Sequence, residues 1–390
     1  MTTAVIVDAL RSPGGKRNGK LKDWHPVDLA AEVMKTLVER NGVDPATIDD
    51  VVMGCVMQVG EQSLNVARNA VLAAGWPDSV PGTTVDRQCG SSQQAAHFAA
   101  QGVMAGAYDI VVAAGVEVMS RVPMGASVAD RNFGFPFGPR VQARYEAVGG
   151  LVGQGISAEM IAEKWNISRD ELDAFGVRSQ EYAARATREG RFQNEIIPVL
   201  DTEGNMMSQD EGLRETTMES LGKLKPSFRP VEEGGRVTAG NSSQITDGSS
   251  AILIMSEEKA LEQGLKPLAY FRGFTTMGCE PDEMGIGPVF SVPKLLNSHN
   301  MSVDDVDLWE LNEAFAVQVA YCRDQLGISM DKLNVNGGSI SIGHPFGMTG
   351  SRQVGHIVRE LQNQDKQFGV VTMCVGGGMG ASGLFERYPS

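Results

Sequence analysis

Short, unbroken apolar runs alternate with helix-patterned stretches along this chain, and they limit the folds open to it. Seven runs read as strands: 4–10, 51–57, 110–116, 250–255, 268–274, 306–311 and 369–375. A strand that is apolar at every position has no face to offer solvent, so its sheet must be covered on both sides. Stretches with helical periodicity at 26–42, 91–106, 157–166, 169–190 and 351–364 can supply the cover. The fourth begins at a capping pattern, Ser168 followed by Glu171. The fold class is therefore α/β.

The pattern occurs twice. An acidic turn leads into a strand in 43-VDPATIDDVVMGCV-56 and again in 301-MSVDDVDLWELNEA-314. Likewise 110-IVVAAGVEVMS-120 parallels 369-GVVTMCVGGGM-379. Self-similarity on this scale implies two similar α/β halves packed together. Between them the texture changes. The stretch 121–155 is rich in glycine, proline and aromatic residues, and 223-KLKPSFRPVEEGGR-236 is locally basic. Long loops inside a compact protein usually carry function. The expected division is 1–117 with 244–267 as the first half, 118–243 as an inserted lid, and 268–390 as the second half.

Charge narrows the partners. A net charge of −14 argues against nucleic acid, which needs clustered basic residues. A small anion needs only a local basic patch. No run of apolar residues is long enough to span a bilayer, so no membrane is expected, and MTTAVIVDALRSP enters a strand with no basic-then-apolar leader. The cysteines, Cys55, Cys89, Cys279, Cys322 and Cys374, are odd in number and far apart, with no C-x-x-C. Neither a disulfide framework nor a zinc site fits, and a reduced, cytoplasmic protein is expected.

Two cysteines have unusual settings. Cys89 stands between a strand and a helix in 83-TTVDRQCGSSQQAAHFAA-100. There the helix dipole would lower its pKa, although a buried cysteine acting as a small hydrophobe reads equally well. Cys374 ends a strand ahead of three glycines in 372-TMCVGGGMGASGLFE-386. Free N–H groups in such a loop can form an oxyanion hole, and a tight hairpin is the plainer alternative. Cys55 reads as core, and Cys279 and Cys322 have no glycine context.

His344 lies inside 337-GGSISIGHPFGMTGS-351, where the glycines imply that something approaches the backbone closely. His97 falls eight residues after Cys89, about 12 Å along a helix, too far to be its base. His25, His299 and His356 read as surface or capping groups. Asn312 and Glu313, in 309-WELNEAFAVQ-318, read as a strand end and a helix N-cap, which is compatible with catalysis. The residues together point to a nucleophilic cysteine with a histidine base. The second cysteine adds a further proton transfer at a thiol, which a hydrolase does not need.

In chain order, Cys89, 312-NEAF-315, 343-GHP-345 and 374-CVGGG-378 resemble the thiolase family, and the likeness extends from 11-RSPGGKRNG-19 to 381-ASGLFER-387. The resemblance implies two layered αβαβα halves with a lid inserted in the first. It implies CoA-dependent cleavage of a 3-oxoacyl-CoA through an acyl-cysteine. Condensation of two acetyl-CoA molecules, a ketoacyl synthase, a cysteine hydrolase and a non-catalytic acyl or sterol carrier are the alternatives. By resemblance Cys89 is the nucleophile, His344 its activator and a donor to an oxyanion hole at the thioester oxygen of the second acyl-CoA, Cys374 the acid/base, and Asn312 the holder of a water in that same hole. The N–H groups of Cys89 and Gly376 form the second hole.

CoA would meet Arg214, Ser220, Phe228, Ala239, Ser243, Ala314 and Phe315. No metal and no permanent cofactor are implied, with CoA and acyl-CoA as substrates and a homodimer or homotetramer as the assembly. Three features depart from the usual pattern. Ser92 replaces a glycine and should tighten the acyl pocket. The stretch 153-GQGISAE-159 replaces a His-Met-Gly motif of short-chain biosynthetic members. The stretch 132-NFGFPFG-138 would suit an adaptable pocket. The last two favour a degradative enzyme for longer or bulkier chains.

Overall fold

The computed structural model describes residues 2–129 and 134–389. Asn132 and Phe133 of the proposed adaptable stretch thus lie outside the described residues. One large mixed sheet runs through the protein. Its main strands are β1 (Ala4–Arg11), β2 (Asp50–Gly54), β3 (Thr83–Val85), β4 (Ile110–Val118), β5 (Thr246–Ser256), β6 (Ala269–Gly278), β7 (Leu308–Leu311), β8 (Phe368–Val375) and β9 (Met379–Arg387). The order is β7-β8-β9-β6-β1-β5-β4-β2-β3, with the two-residue strand Gly15–Lys16 on β5. The principal helices are α1 (Pro26–Arg40), α2 (Ser91–Met104), α3 (Gln154–Lys164), α4 (Arg169–Arg188), α5 (Pro288–Ser298), α6 (Ala316–Leu326) and α7 (Phe346–Asn363).

The repeat seen in the sequence is a repeat in the sheet. β2 pairs parallel to β4, and β4 antiparallel to β5. In the same way β7 pairs parallel to β8, and β8 antiparallel to β9. β1 and β6 join the two sets through Val5 with Tyr270 and Ile6 with Ala269. Even the short edge strand β3 has a counterpart, a single bridge from Leu333 to Trp309.

The apolar strands are explained by what covers them. One face of each half meets the central helices α2 and α7, in a core that holds Ala95, Ala96, Ala99, Ala100, Val354 and Ile357. The alanines let α2 lie close to the sheet and to α7. The outer faces carry separate cores, under α1 in the first half and under α5 and α6 in the second.

The glycine-rich stretch after Cys374 forms a tight hairpin between β8 and β9, with Gly377 and Gly378 at φ +83° and +81°, and this is compatible with the oxyanion-hole reading. The strand β9 itself was not expected, because its first five residues, MGASG, have little β-propensity. His356 is no surface group, contrary to the sequence reading. It is buried on α7, with Nδ1 2.9 Å from Glu195. Glu195 in turn accepts from Arg11 at 2.8 Å, and Asp210 grips the same guanidinium at 2.6 and 2.9 Å. This buried ionic cluster fastens the segment between the halves to β1 and α7. His25 and His299 do cap helices, as expected.

Candidate active site

Cys89 sits in the turn between β3 and α2, where the chain reverses sharply. Gln88 adopts φ +46°, the Gln88 amide bonds Asp86, and Ser91 Oγ closes the turn by donating to the Gln88 carbonyl at 2.6 Å. The helix begins only at Ser91, with Gly90 as its N-cap. The expected lowering of the Cys89 pKa is overturned. Burial pushes the thiol up to about 11, and two N–H groups that bond its sulfur, those of Gly376 and of Cys89 itself, offset only part of this. Desolvating a thiolate outweighs a helix dipole acting from just outside the first turn.

Cys374, one residue before the end of β8, lies opposite Gly380 of β9 and is fully buried. Burial raises its pKa well above normal, and Cys89 is the first charge that adds to the effect, followed by Cys322 and Cys279. The two candidate cysteines are thus neighbours, one from each half, and both are protonated at rest. Cys279 and Cys322, expected to be bland, lie close enough to Cys374 to influence it. Cys55, expected as core, is buried at the end of β2.

His344 lies in the segment just before α7. Gly343 precedes it at φ +95°, a conformation that disfavours any side chain. Gly347 follows at a contact so tight that an added Cβ would fall 2.2 Å from the Val116 carbonyl. The expectation that the run clears space for a ligand is corrected at this second position, since protein backbone fills it. The imidazole is buried, and burial with Arg352 nearby pushes its pKa down to about 3. Its Nδ1 lies 2.6 Å from Thr349 Oγ1, and its Nε2 lies 3.3 Å from Asn312 Nδ2.

Asn312 does not cap a helix, contrary to the sequence reading. The helix starts four residues later, and Gln318 bonds the Phe315 N–H at its entrance. The Asn312 side chain is thereby left for His344. Glu313 beside it is buried and accepts from Ser179 Oγ, Asn334 Nδ2 and the Ile340 N–H, which ties the glycine run to α4.

A cavity of about 470 Å³ opens onto His344. Arg214, Phe228, Ala239, Ser243 and Phe315, all expected at CoA, line it. Ser220 and Ala314 do not. Ser220 lies within the short helix Met218–Gly222 and completes a capping box with its N-cap, Thr217, and Ala314 is buried and offers its carbonyl to the Ser243 N–H at 2.9 Å. The Ser92 hydroxyl accepts from the Ser351 N–H on α7 at 2.9 Å.

The family model of the thiolase N-terminal domain matches residues 4–258, and that of the thiolase C-terminal domain matches residues 265–387. The chain belongs to the thiolase family. Among thiolases it is 43% identical to a 3-ketoacyl-CoA thiolase of Bacillus subtilis, across 99% of this chain and 100% of that one. It is 42% identical to a steroid 3-ketoacyl-CoA thiolase of Mycobacterium tuberculosis, across 99% and 95%. The crystal structure of human mitochondrial 3-ketoacyl-CoA thiolase in complex with CoA superimposes with a TM-score of 0.90 at 34% identity, covering 99% of this chain and 98% of that one.

The thiolase cavity also has walls that the sequence did not point out. Lys16 and Arg17 line it from the start of the chain, brought there by the two-residue strand against Thr246 and Asp247. Met119, Met124 and Phe346 make it apolar near His344. A signal for the first pair was present in the basic stretch 16-KRNGKLK-22 of an acidic chain. The methionines gave none.

Proposed function

We propose that this thiolase cleaves a 3-oxoacyl-CoA with CoA, giving acetyl-CoA and an acyl-CoA two carbons shorter. The observation that carries the reading is the pair of N–H groups, from Cys89 and Gly376, that meet at the Cys89 sulfur with Cys374 as its neighbour. As the substrate binds, the Cys89 proton passes to His344 and the sulfur adds to the 3-oxo carbon. The two N–H groups take up the charge that forms on the oxygen. The C2–C3 bond then breaks, Cys374 protonates C2 of the departing acetyl-CoA, and Cys89 keeps the acyl group. Cys374, now a thiolate, takes the proton of an incoming CoA thiol, which attacks the acyl-cysteine and frees Cys89, whose thiolate recovers its proton from His344. Asn312 holds a water in the hole at the thioester oxygen of the second acyl-CoA.

CoA would run along Arg214, Ser220, Phe228, Ala239, Ser243, Ala314 and Phe315, with its anionic end near Lys16, Arg17 and Arg214. Physiologically the cleavage direction is preferred here, on longer or bulkier acyl chains. The methionines and Phe346 support this, as flexible and apolar walls adapt to varied chains. The division into halves 1–117 with 244–267 and 268–390, around a lid at 118–243, goes with this reading, as does a role in fatty-acid or lipid breakdown.

A homodimer or homotetramer is proposed as well. The edge strand β3 is paired on one side only, and the adjoining Leu64 is 88% exposed. A cytoplasmic setting is proposed from the five free cysteines. No helix among the described residues is long and apolar enough to cross a membrane. The test is CoA-dependent cleavage across 3-oxoacyl-CoA substrates of rising length and bulk. Cleavage that proceeds without CoA and yields free acid would replace the thiolase reading with a hydrolase.

A further inference from the structure

Five hydrogen bonds run in one line through the site, and each has a forced direction. Arg352 Nη2 lies 3.0 Å from Ser339 Oγ. A guanidinium can only donate, so the hydroxyl accepts there and its single proton is left for Asn312 Oδ1, at 2.6 Å. That fixes which way the amide points. Its nitrogen faces His344 Nε2, and an amide nitrogen can only donate, so Nε2 carries no proton. The ring proton sits on Nδ1 and goes to Thr349 Oγ1, and Thr349 gives its own to the Pro345 carbonyl at 2.8 Å. The line starts at an obligate donor and ends at an obligate acceptor. Reversing any one bond would set two donors or two acceptors against each other.

We propose that Ser339, backed by Arg352, is a positioning residue that keeps the Asn312 amide turned so that Nε2 of His344 stays unprotonated at rest, and takes the Cys89 proton once the long Asn312 N–H contact gives way. The inference rests on the thiolase reading above. Ser339, Asn312 and Thr349 are wholly buried. Without the Ser339 proton nothing orients the amide. Turned over, its oxygen would face Nε2, draw the ring proton there, and convert His344 from a base into a donor.

The charged groups facing this line are few. Arg352 stands beside His344, with Lys16, Arg17 and Arg214 across the cavity. Arg352 itself faces Arg11, Glu310, Asp210 and Glu195. The main chain around Ser339 does not depend on its hydroxyl. The Gly338 N–H bonds Ser179 Oγ at 3.3 Å, and the Ile340 N–H bonds Glu313 at 3.2 Å.

The test compares Ser339→Ala and Ser339→Thr in the full chain. Long-range proton–nitrogen correlation on protein labelled with nitrogen-15 histidine reads the His344 tautomer, assigned by its loss in His344→Gln. Mass spectrometry times the acylation of Cys89 by acetyl-CoA. Wild type should show the Nδ1–H form. Ser339→Ala should mix in the Nε2–H form and acylate on the order of tenfold more slowly, and Ser339→Thr should restore both. Arg352→Met should copy Ser339→Ala; if it does not fold, the Ser339 pair decides alone. An unchanged tautomer in Ser339→Ala overturns the proposal even if acylation slows, and so does a wild-type acylation rate. Wild type that never acylates at Cys89 overturns the thiolase reading instead.

Discussion

The N–H of Gly376, in the hairpin between β8 and β9, faces the sulfur of Cys89, which belongs to the other half of the sheet, and opposes the rise in its pKa. Neither half holds this site alone. The hairpin brings Cys374 and Gly376, the proposed acid/base and oxyanion donor, and the turn before α2 brings Cys89, the proposed nucleophile, whose own N–H is the proposed second donor.

Removing either cysteine should therefore stop turnover at different stages. Cys89→Ala should gain no mass after incubation with acetyl-CoA. Cys374→Ala should still gain an acetyl group slowly, while CoA-dependent turnover drops by about 10²–10⁴-fold, the usual worth of a positioned acid or base. A normally acylated Cys89→Ala protein, or a fully active Cys374→Ala protein, would remove those residues from their proposed roles.

Burial sets how the free enzyme reacts with alkylating agents. With the Cys89 pKa pushed up to about 11, the thiolate is scarce near neutrality and grows with pH across the accessible range. The rate of iodoacetamide modification at Cys89, followed by peptide mapping, should rise about tenfold per pH unit from 7 to beyond 9, in step with thiolate fraction. A rate that levels off near pH 8 would mean that a charge such as imidazolium offsets the burial.

Much of this was legible in the sequence, for identifiable reasons. Unbroken apolar runs such as 110-IVVAAGV-116 can only be doubly covered strands, and the repeat between 43–56 and 301–314 is real in the sheet. Cys89, His344 and Cys374 stood out through their glycine settings. What stayed hidden depends on distant partners. Nothing beside His356 announces Glu195, which is far away in sequence. No local pattern tells that Asn312 turns to His344 instead of capping a helix. The sign of the Cys89 pKa shift follows from burial, which local spacing does not encode.

The pair of His356 and Glu195 makes stability depend on pH. Glu195 raises the His356 pKa from 6.5 to about 9, so this contribution is complete below 6.5 and is lost as pH climbs through 9. His356 and Arg11 hold Glu195 at about 2 against a usual 4.5, so its share is complete above 4.5 and is lost as pH falls through 2. Stability from the pair should be greatest between those limits. Thermal unfolding should show a midpoint that declines from pH 6.5 to 9. His356→Gln should lose that slope and be less stable by about 1.5–3 kcal/mol at pH 6, since Glu195 loses one of its two cationic partners and keeps Arg11. An identical decline in the mutant would assign the pH dependence to other groups.

Lys16 and Arg17 give the last prediction. They line the His344 cavity on a protein of net charge −14, where a stray basic pair would not by itself attract an anion. Arg214 lines the same cavity from the segment between the halves, so cations border it on two sides. CoA carries its phosphates far from its thiol, and cations at the mouth can hold them only while the thiol reaches inward. The double variant Lys16→Ala/Arg17→Ala should then raise KM for CoA and acyl-CoA about three- to tenfold with little change in kcat, as expected for partly exposed charge contacts. Thioesters of N-acetylcysteamine, which lack phosphates, should react with the variant as they do with wild type. The wild-type KM for CoA should climb with salt, and less steeply in the variant, because screening weakens the same contacts. Equal losses with both thioesters would show instead that the pair supports the cavity wall, and that the phosphates lie elsewhere.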